Sequence, residues 1–284
     1  MMLLAGLITC LAAGSPNFHR PVWSQDGSRL AFMSDAPGNW ELFVMDRDGS
    51  GVKRLTDDPA FDGYATWSPD GRFLIFGRSG ALIHYDFQTG RERPFLPEGV
   101  RPEEGKEDLS AQWSPKGDWV AFVSDRAGNR DIYLVKPDGT GLRRLTEGPE
   151  DEGSPSFSPD GGRLAMFAAE EGSLSLRIVA LKSGEIRTVH KEPGPGYGLA
   201  WSPDGRFLAF NAERDGNMDL YVLDLESGAA RRLTDQPGTD HLPVWYPDGK
   251  HLIYTSEQGD LETVFRISIQ GGNPERVAMP ELSP

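Results

Sequence analysis

The sequence predicts an all-β chain closed into a six-bladed β-propeller of four-stranded antiparallel blades. An aromatic residue followed by a Ser-Pro-Asp-Gly-type turn recurs six times. Trp23, Trp67, Trp113, Phe157, Trp201 and Trp245 open WSQDG, WSPDG, WSPKG, FSPDG, WSPDG and WYPDG. The intervals are 44, 46, 44, 44 and 44 residues, a period typical of propeller blades. The 34 Gly and 22 Pro among 284 residues suit many short strands joined by tight turns.

In chain order, residues 1–15 come first and read as a leader. The run MMLLAGLITCLAA is apolar but too short to span a bilayer comfortably. It has the look of a secretory signal with a small-residue cleavage site at Ala12-Ala13-Gly14, although no basic residue precedes Arg20. Leu7-Ile8-Thr9-Cys10 also resembles a lipoprotein box, so lipidation of Cys10 and removal of the leader both stay open. Either way the expected location is periplasmic or exported. Cys10 is the only cysteine, which rules out an internal disulfide.

Residues 16–284 are expected to form one propeller domain. In the first unit, 21–23 reads as the innermost strand. Gln25-Asp26-Gly27 makes a turn in which Gly supplies positive φ. Residues 29–33 (RLAFM) make the second strand, Gly38-Asn39 centres a hairpin, 42–45 (LFVM) make the third strand, and 53–56 (KRLT) the fourth. Later copies agree at 131–135, 219–223, 143–146 and 231–234. Pro21, Pro155 and Pro243 stand two residues before their aromatics. Proline cannot donate to a ladder, and an innermost strand has one free edge, so the placement fits. The aromatics are expected to wedge between blades. The last unit (252–256, 264–269, 275–277) is complete, so closure needs no borrowed strand, with residues 17–20 as a clasp.

The net charge of −14 disfavours nucleic acid and anionic membranes and favours basic partners or cations. The loops entering the innermost strands (56–63, 97–109, 146–153, 190–197, 234–241) carry fifteen acids against Arg101, Lys106 and Lys191. Propeller geometry gathers them on one face. Asp62, Asp108, Glu152 and Asp240 all lie five residues before the blade aromatic and should form a partial ring. His19 and His241 lie four before it on adjoining blades. These six could clamp a basic peptide or a cation, or be a solvated acidic rim. One break in symmetry adds a pointer. The third strand starts 19 residues after the aromatic in five blades but 15 after Trp67, and the long connection 97–109 follows, with Glu103, Glu104, Glu107 and Asp108. Insertions on one face often mark the binding face, which places a partner over blades two and three, unless the loop has merely drifted.

No P-loop, dinucleotide fingerprint, nucleophile elbow, or His/Cys metal spacing occurs. Neither cofactor nor structural metal is expected.

The string from Ser114-Pro115-Lys116-Gly117 to Ser124-Asp125-Arg126-Ala127-Gly128-Asn129-Arg130-Asp131-Ile132-Tyr133-Leu134 resembles the TolB-type, WD-like propeller repeat, as do 24–44 and 202–222. The resemblance covers residues 20 to about 278. It implies a six-bladed propeller of the bacterial envelope that binds other proteins. It is also similar to the propellers that precede the catalytic domain of prolyl oligopeptidases. TolB carries an α/β domain ahead of its propeller, and about twenty residues precede the first blade here. The expectation is therefore a monomeric, non-enzymatic interaction module with a basic protein or peptide partner, free-standing rather than a full Tol–Pal component. Membrane contact would come only through a lipid at Cys10. Two alternatives stay open: a metal-assisted lyase or hydrolase at the channel mouth, using His19 or His241 with carboxylates, and a subunit of a larger envelope complex.

Overall fold

The computed structural model describes residues 16–170, 173–259 and 261–280. These form six four-stranded antiparallel sheets, each from four strands consecutive in the chain. Blade 1 comprises Phe18–Trp23, Arg29–Ser34, Glu41–Asp46 and Lys53–Arg54. The innermost strands of blades 2 to 6 are Asp62–Trp67, Asp108–Trp113, Glu152–Phe157, Gly196–Trp201 and Thr239–Trp245. Each touches the next, and the first touches the last, so the ring closes around a central channel. The leader and Cys10 lie outside the described residues. No helix among the described residues is long and apolar enough to cross a membrane.

The repeated turn explains its own sequence. The Ser24 hydroxyl donates to Asp26 at 2.6 Å and accepts from the Arg29 amide at 3.0 Å. Ser68, Ser158 and Ser202 repeat both contacts with Asp70, Asp160 and Asp204. A buried hydroxyl and a carboxylate thus satisfy the turn's backbone from within. Gly27, Gly71, Gly161 and Gly205 take φ near +66 to +72°, where a side chain would be strained.

The aromatic that opens each turn lies in the joint with the preceding blade. Trp67 packs among Ala31, Met33, Leu42 and Val44 of blade 1 and Leu74 and Phe76 of its own blade. Trp245 does the same between blades 5 and 6. One apolar cluster per joint results, and the joint between blades 6 and 1 has its own, built on Phe18, Leu30, Phe32, Ile253 and Val264. Closure therefore works by face packing, as the complete last unit implied. The N-terminal stretch adds the clasp. The Glu262 amide donates to Asn17 Oδ1 at 2.9 Å, and the Arg20 amide donates to Thr255 Oγ1 at 3.3 Å.

Two features were not foreseen. The innermost strand of blade 1 starts at Phe18 rather than near Pro21. It does so because every innermost strand carries a bulge, where the pairing register shifts. The residue three before the aromatic takes a left-handed backbone in all six blades: Arg20, Tyr64, Ser110, Ser154, Gly198 and Leu242, with φ between 49 and 66°. The fourth strands are also shorter than expected, ending at Arg54 and Arg144, because the following Leu-Thr turns inward.

The asymmetric blade 2 has the shortened hairpin, Phe73–Arg78 to Ala81–Asp86 around Ser79-Gly80. The long connection that follows fills the vacated space. The Asp108 amide donates to the Gly80 carbonyl at 2.9 Å, and Arg126 donates to the Val100 carbonyl at 3.1 Å. Insertion and deletion are packed against each other.

Candidate binding site at the channel mouth

The four acids five residues before the aromatic stand at the start of innermost strands, three as the first residue and Asp240 as the second, and so share one rim. Their carboxylates do not face solvent. Asp62 and Asp108 are 0% and 1% exposed, Glu152 and Asp240 4% and 3%. Arg78 grips Asp62 with two bonds of 2.6 Å, and Arg126 grips Asp108 at 2.7 and 2.9 Å. Arg177 stands 3.7 Å from Glu152. Burial raises all four carboxyls above their ordinary values, partly offset by these arginines at the first three and by Ser256 and Thr234 at Asp240. The arginines lie 16 and 18 residues downstream of Asp62 and Asp108, across the first hairpin, where sequence spacing alone did not pair them.

Three of these acids belong to a repeated relay between blades. A second buried acid lies near the start of the third strand of the preceding blade: Glu41 and Asp131 as its first residue and Asp219 as its third, each 0% exposed. An arginine of the fourth strand pairs with each, Arg54 at 3.0 Å, Arg144 at 2.7 Å and Arg232 at 2.5 Å. The Thr that ends each Arg-Leu-Thr accepts the next amide of the third strand, Leu42 to Thr56, Ile132 to Thr146 and Leu220 to Thr234, at 2.9 to 3.0 Å. The same hydroxyls lie against Asp62, Glu152 and Asp240. The signal is present in the sequence as three acid, Arg-Leu-Thr and acid columns, but only the second acid of each falls in the loops whose charge marks the rim.

Exposed acids remain on the same face, outside this inner ring. Asp57, Glu98, Glu103, Glu104, Glu107, Glu147, Asp151 and Asp235 are exposed. Glu103, Glu104 and Glu107 crown the long connection of blade 2, apart from the buried Asp108 beside them.

His19 and His241 do come together, with rings edge to face and centroids 5.1 Å apart. His19 Nδ1 is hydrogen-bonded to Glu262. Tyr197 Oη lies 2.8 Å from His241 Nδ1. Burial holds the Tyr197 hydroxyl protonated and pushes His241 down to about 4, with His19 and Arg20 adding to the latter. Assigning the phenol as donor places the imidazole proton on Nε2. That atom is buried without a hydrogen-bond partner, 3.9 Å from Glu257. Asp240 is not part of this cluster. It faces Ser256 and Thr234 instead. No group of three or more His, Cys, Asp or Glu able to hold a metal occurs among the described residues.

Sequence reading missed the neighbours of these two histidines. The Arg20 guanidinium lies 3.7 Å from the Tyr64 ring centroid. Trp40 stands edge-on to His19 at 5.7 Å, and Phe61, 46% exposed, is 5.9 Å from Tyr64. Arg20 and Tyr64 escaped notice because the bulge that turns them toward each other has no residue signature.

Comparison with known proteins gives a consistent setting. The TolB β-propeller domain profile matches residues 138–283, just over half of the chain. The Tol-Pal system protein TolB of Anaeromyxobacter dehalogenans is 30% identical over 133 residues, 45% of this chain and 29% of that protein. The chain thus spans less than a third of the length of the curated relatives it matches, such as this one and the TolB homolog of Chlorobaculum tepidum, where the share is 27%. The crystal structure of TolB from Acinetobacter baumannii superposes with a TM-score of 0.73 at 20% identity, covering 86% of this chain and 62% of that one. An oligogalacturonate lyase from Vibrio parahaemolyticus superposes with a TM-score of 0.62 at 16% identity, over 88% and 90% of the two chains. At these identities the two structures show the fold alone.

Proposed function

The chain belongs to the TolB β-propeller domain family, and on that premise we propose that it is a non-enzymatic interaction module of the bacterial envelope. Its docking surface is the acidic face around the channel mouth, and its partner is a basic protein or peptide. The observation that carries this reading is the division of the acids on that face. The inner ring is buried and engaged within the propeller, while Glu103, Glu104 and Glu107 stand exposed on the longest connection of the same face. Exposed like charges on one rim steer an oppositely charged partner and are sensitive to screening. The envelope setting is taken from the relatives, whose name places them in the Tol-Pal system.

The test is co-purification from native envelope at low salt and near 1 M salt, where the screening length falls to about 3 Å. A partner retained at low salt and lost at high salt is the expected result. The variant Glu103→Lys/Glu104→Lys/Glu107→Lys should release it without unfolding the propeller, since none of the three is buried. A partner held equally by wild type and variant would sink the reading.

A further inference from the structure

The wall of the channel is uneven. The six left-handed positions bring their residues to the innermost strands at the same level. Blades 3, 4 and 5 place Ser110, Ser154 and Gly198 there, whereas blades 6, 1 and 2 place Leu242, Arg20 and Tyr64. The innermost strands of one half of the ring therefore carry short residues at this level, and those of the other half carry long ones. The Arg20 guanidinium carbon lies over the Tyr64 ring, 3.7 Å from its centroid, a cation–π contact that holds the cation in place. It forms no ion pair, and its guanidinium no hydrogen bond, with any described residue. Other arginines at buried acids in this face, such as Arg78, Arg126 and Arg214, are each held by a carboxylate. The nearest acid of the cluster, Glu262, is engaged by His19. Arg20 is only partly buried, so its N–H donors stay open to a ligand entering the channel mouth.

A second donor points the same way. His241 Nε2 is buried and unpartnered, and with Tyr197 on Nδ1 it carries the ring proton. Burial also lowers the Arg20 guanidinium from its ordinary value, the direction expected for a cation lacking a close counter-charge. Aromatic surface adjoins the cation: Tyr64 lies against it, the exposed Phe61 stands beside Tyr64, and Trp40 packs on the neighbouring His19.

We propose that this half of the channel mouth is a receptor for a small ligand bearing a carboxylate next to an apolar or aromatic group. The two carboxylate oxygens take the paired donors of Arg20, the geometry in which guanidinium binds best. The organic part lies over Tyr64 and Phe61, in the space left by Ser110, Ser154 and Gly198. This site is separate from the acidic docking rim, and its ligand has the opposite charge.

The experiment uses the full chain and N-acetylphenylalanine as probe, with N-acetylphenylalanine amide as the uncharged control, read by calorimetry and by Trp fluorescence. The acid should bind at least about tenfold tighter than the amide, the scale of a charge-assisted pair. Arg20→Gln should abolish that preference while circular dichroism and thermal midpoint stay at wild-type values. Should Arg20→Gln misfold, Arg20→Lys keeps the charge but loses the paired donors, and should weaken the acid severalfold and leave the amide unchanged. Gly-Gly-Phe and its amide distinguish the source. Tighter binding of the tripeptide acid assigns the site to a chain terminus, and equal binding assigns it to a free acid; both support the carboxylate receptor. Equal affinity for acid and amide, acid preference that survives loss of Arg20, or no binding of any probe at millimolar concentration overturns it. None of these results depends on salt-sensitive capture of a protein partner, so failure here leaves the docking reading standing.

Discussion

The Trp67 indole donates its Nε1–H to the carbonyl of Val22 at 3.1 Å, across the joint between blades 1 and 2. Val22 immediately precedes the aromatic of its own blade. Trp245 repeats the contact with Ala200, before Trp201, at 3.0 Å. At these two joints the tryptophan is thus both a wedge and a strap, whereas the indole N–H groups of Trp23, Trp113 and Trp201 are buried without a partner.

The two roles can be separated. Blade 4 has Phe157 at this position, which fills the joint without a donor. Trp67→Phe should therefore cost about 1–2 kcal/mol, the lost hydrogen bond and a little packing. Trp67→Ala should cost about 3–5 kcal/mol, since the side chain is 5% exposed. Urea denaturation gives both numbers. Equal losses for the two variants would mean that the strap contributes most of the effect.

The relay of acids and threonines invites a second substitution. Thr146→Val keeps the shape but removes the hydroxyl that faces Glu152 and accepts from the Ile132 amide. Buried polar groups left unpaired cost about 1–3 kcal/mol. Thr146→Ser should recover most of that. Hydrogen exchange should localise the loss to the joint of blades 3 and 4; a uniform change across all blades would argue that the relay is not a joint element.

Much of this architecture was readable before any coordinates. The period, the turns, the proline positions, the shortened hairpin after Trp67 and the unswapped closure follow from local chemistry repeated six times. The clasp at Asn17 and Arg20 was legible for the same reason: those residues extend an innermost strand on an edge that blade 6 must meet. The site was far less legible. Whether Asp62 is a rim charge or a buried one depends on Arg78, which reaches it only because strands one and two pair in the register Asp62 to Arg78. That register passes through the bulge, and the residues in the bulge (Arg, Tyr, Ser, Ser, Gly, Leu) share no side-chain property. Charge counted along the chain therefore overstated the acidity of the inner rim.

His84 gives a pH-dependent outcome. It is 5% exposed, packed 4.5 Å from the Phe73 ring, and burial, with Arg93 and Arg72 nearby, pushes it down to about 4. An unfolded histidine titrates near 6.5. The folded state thus binds fewer protons than the unfolded state between these values. The stability from keeping His84 neutral is complete above about 6.5 and is lost as pH falls toward 4. His84→Phe should remove this component. Buried carboxyls such as Asp62, with raised values, work in the opposite sense, so the readout is the difference between wild type and variant. That difference should shift in favour of the variant by up to about 3 kcal/mol from pH 7 to 4. Parallel stability curves would show that His84 stays accessible to protons.

Gly198 separates backbone strain from crowding. Its φ of +66° matches that of Leu242, Tyr64 and Ser154 in the same bulge, so the conformation alone tolerates a side chain. What differs is the space. A Cβ on Gly198 would stand 2.5 Å from Asn211 Oδ1 and 3.0 Å from the Leu242 Cα. Asn211 cannot simply move away, because its Oδ1 accepts from the Leu242 amide at 3.1 Å and ties blade 5 to blade 6. Gly198→Ala should therefore cost about 1–3 kcal/mol through overpacking. Asn211→Ala should also destabilise, by leaving that amide unpaired. Together the two should cost less than their sum, because the second removes the atom with which the first collides. Strict additivity in a double-mutant cycle would show that the penalty at Gly198 comes from the left-handed backbone or the Leu242 backbone rather than from Asn211.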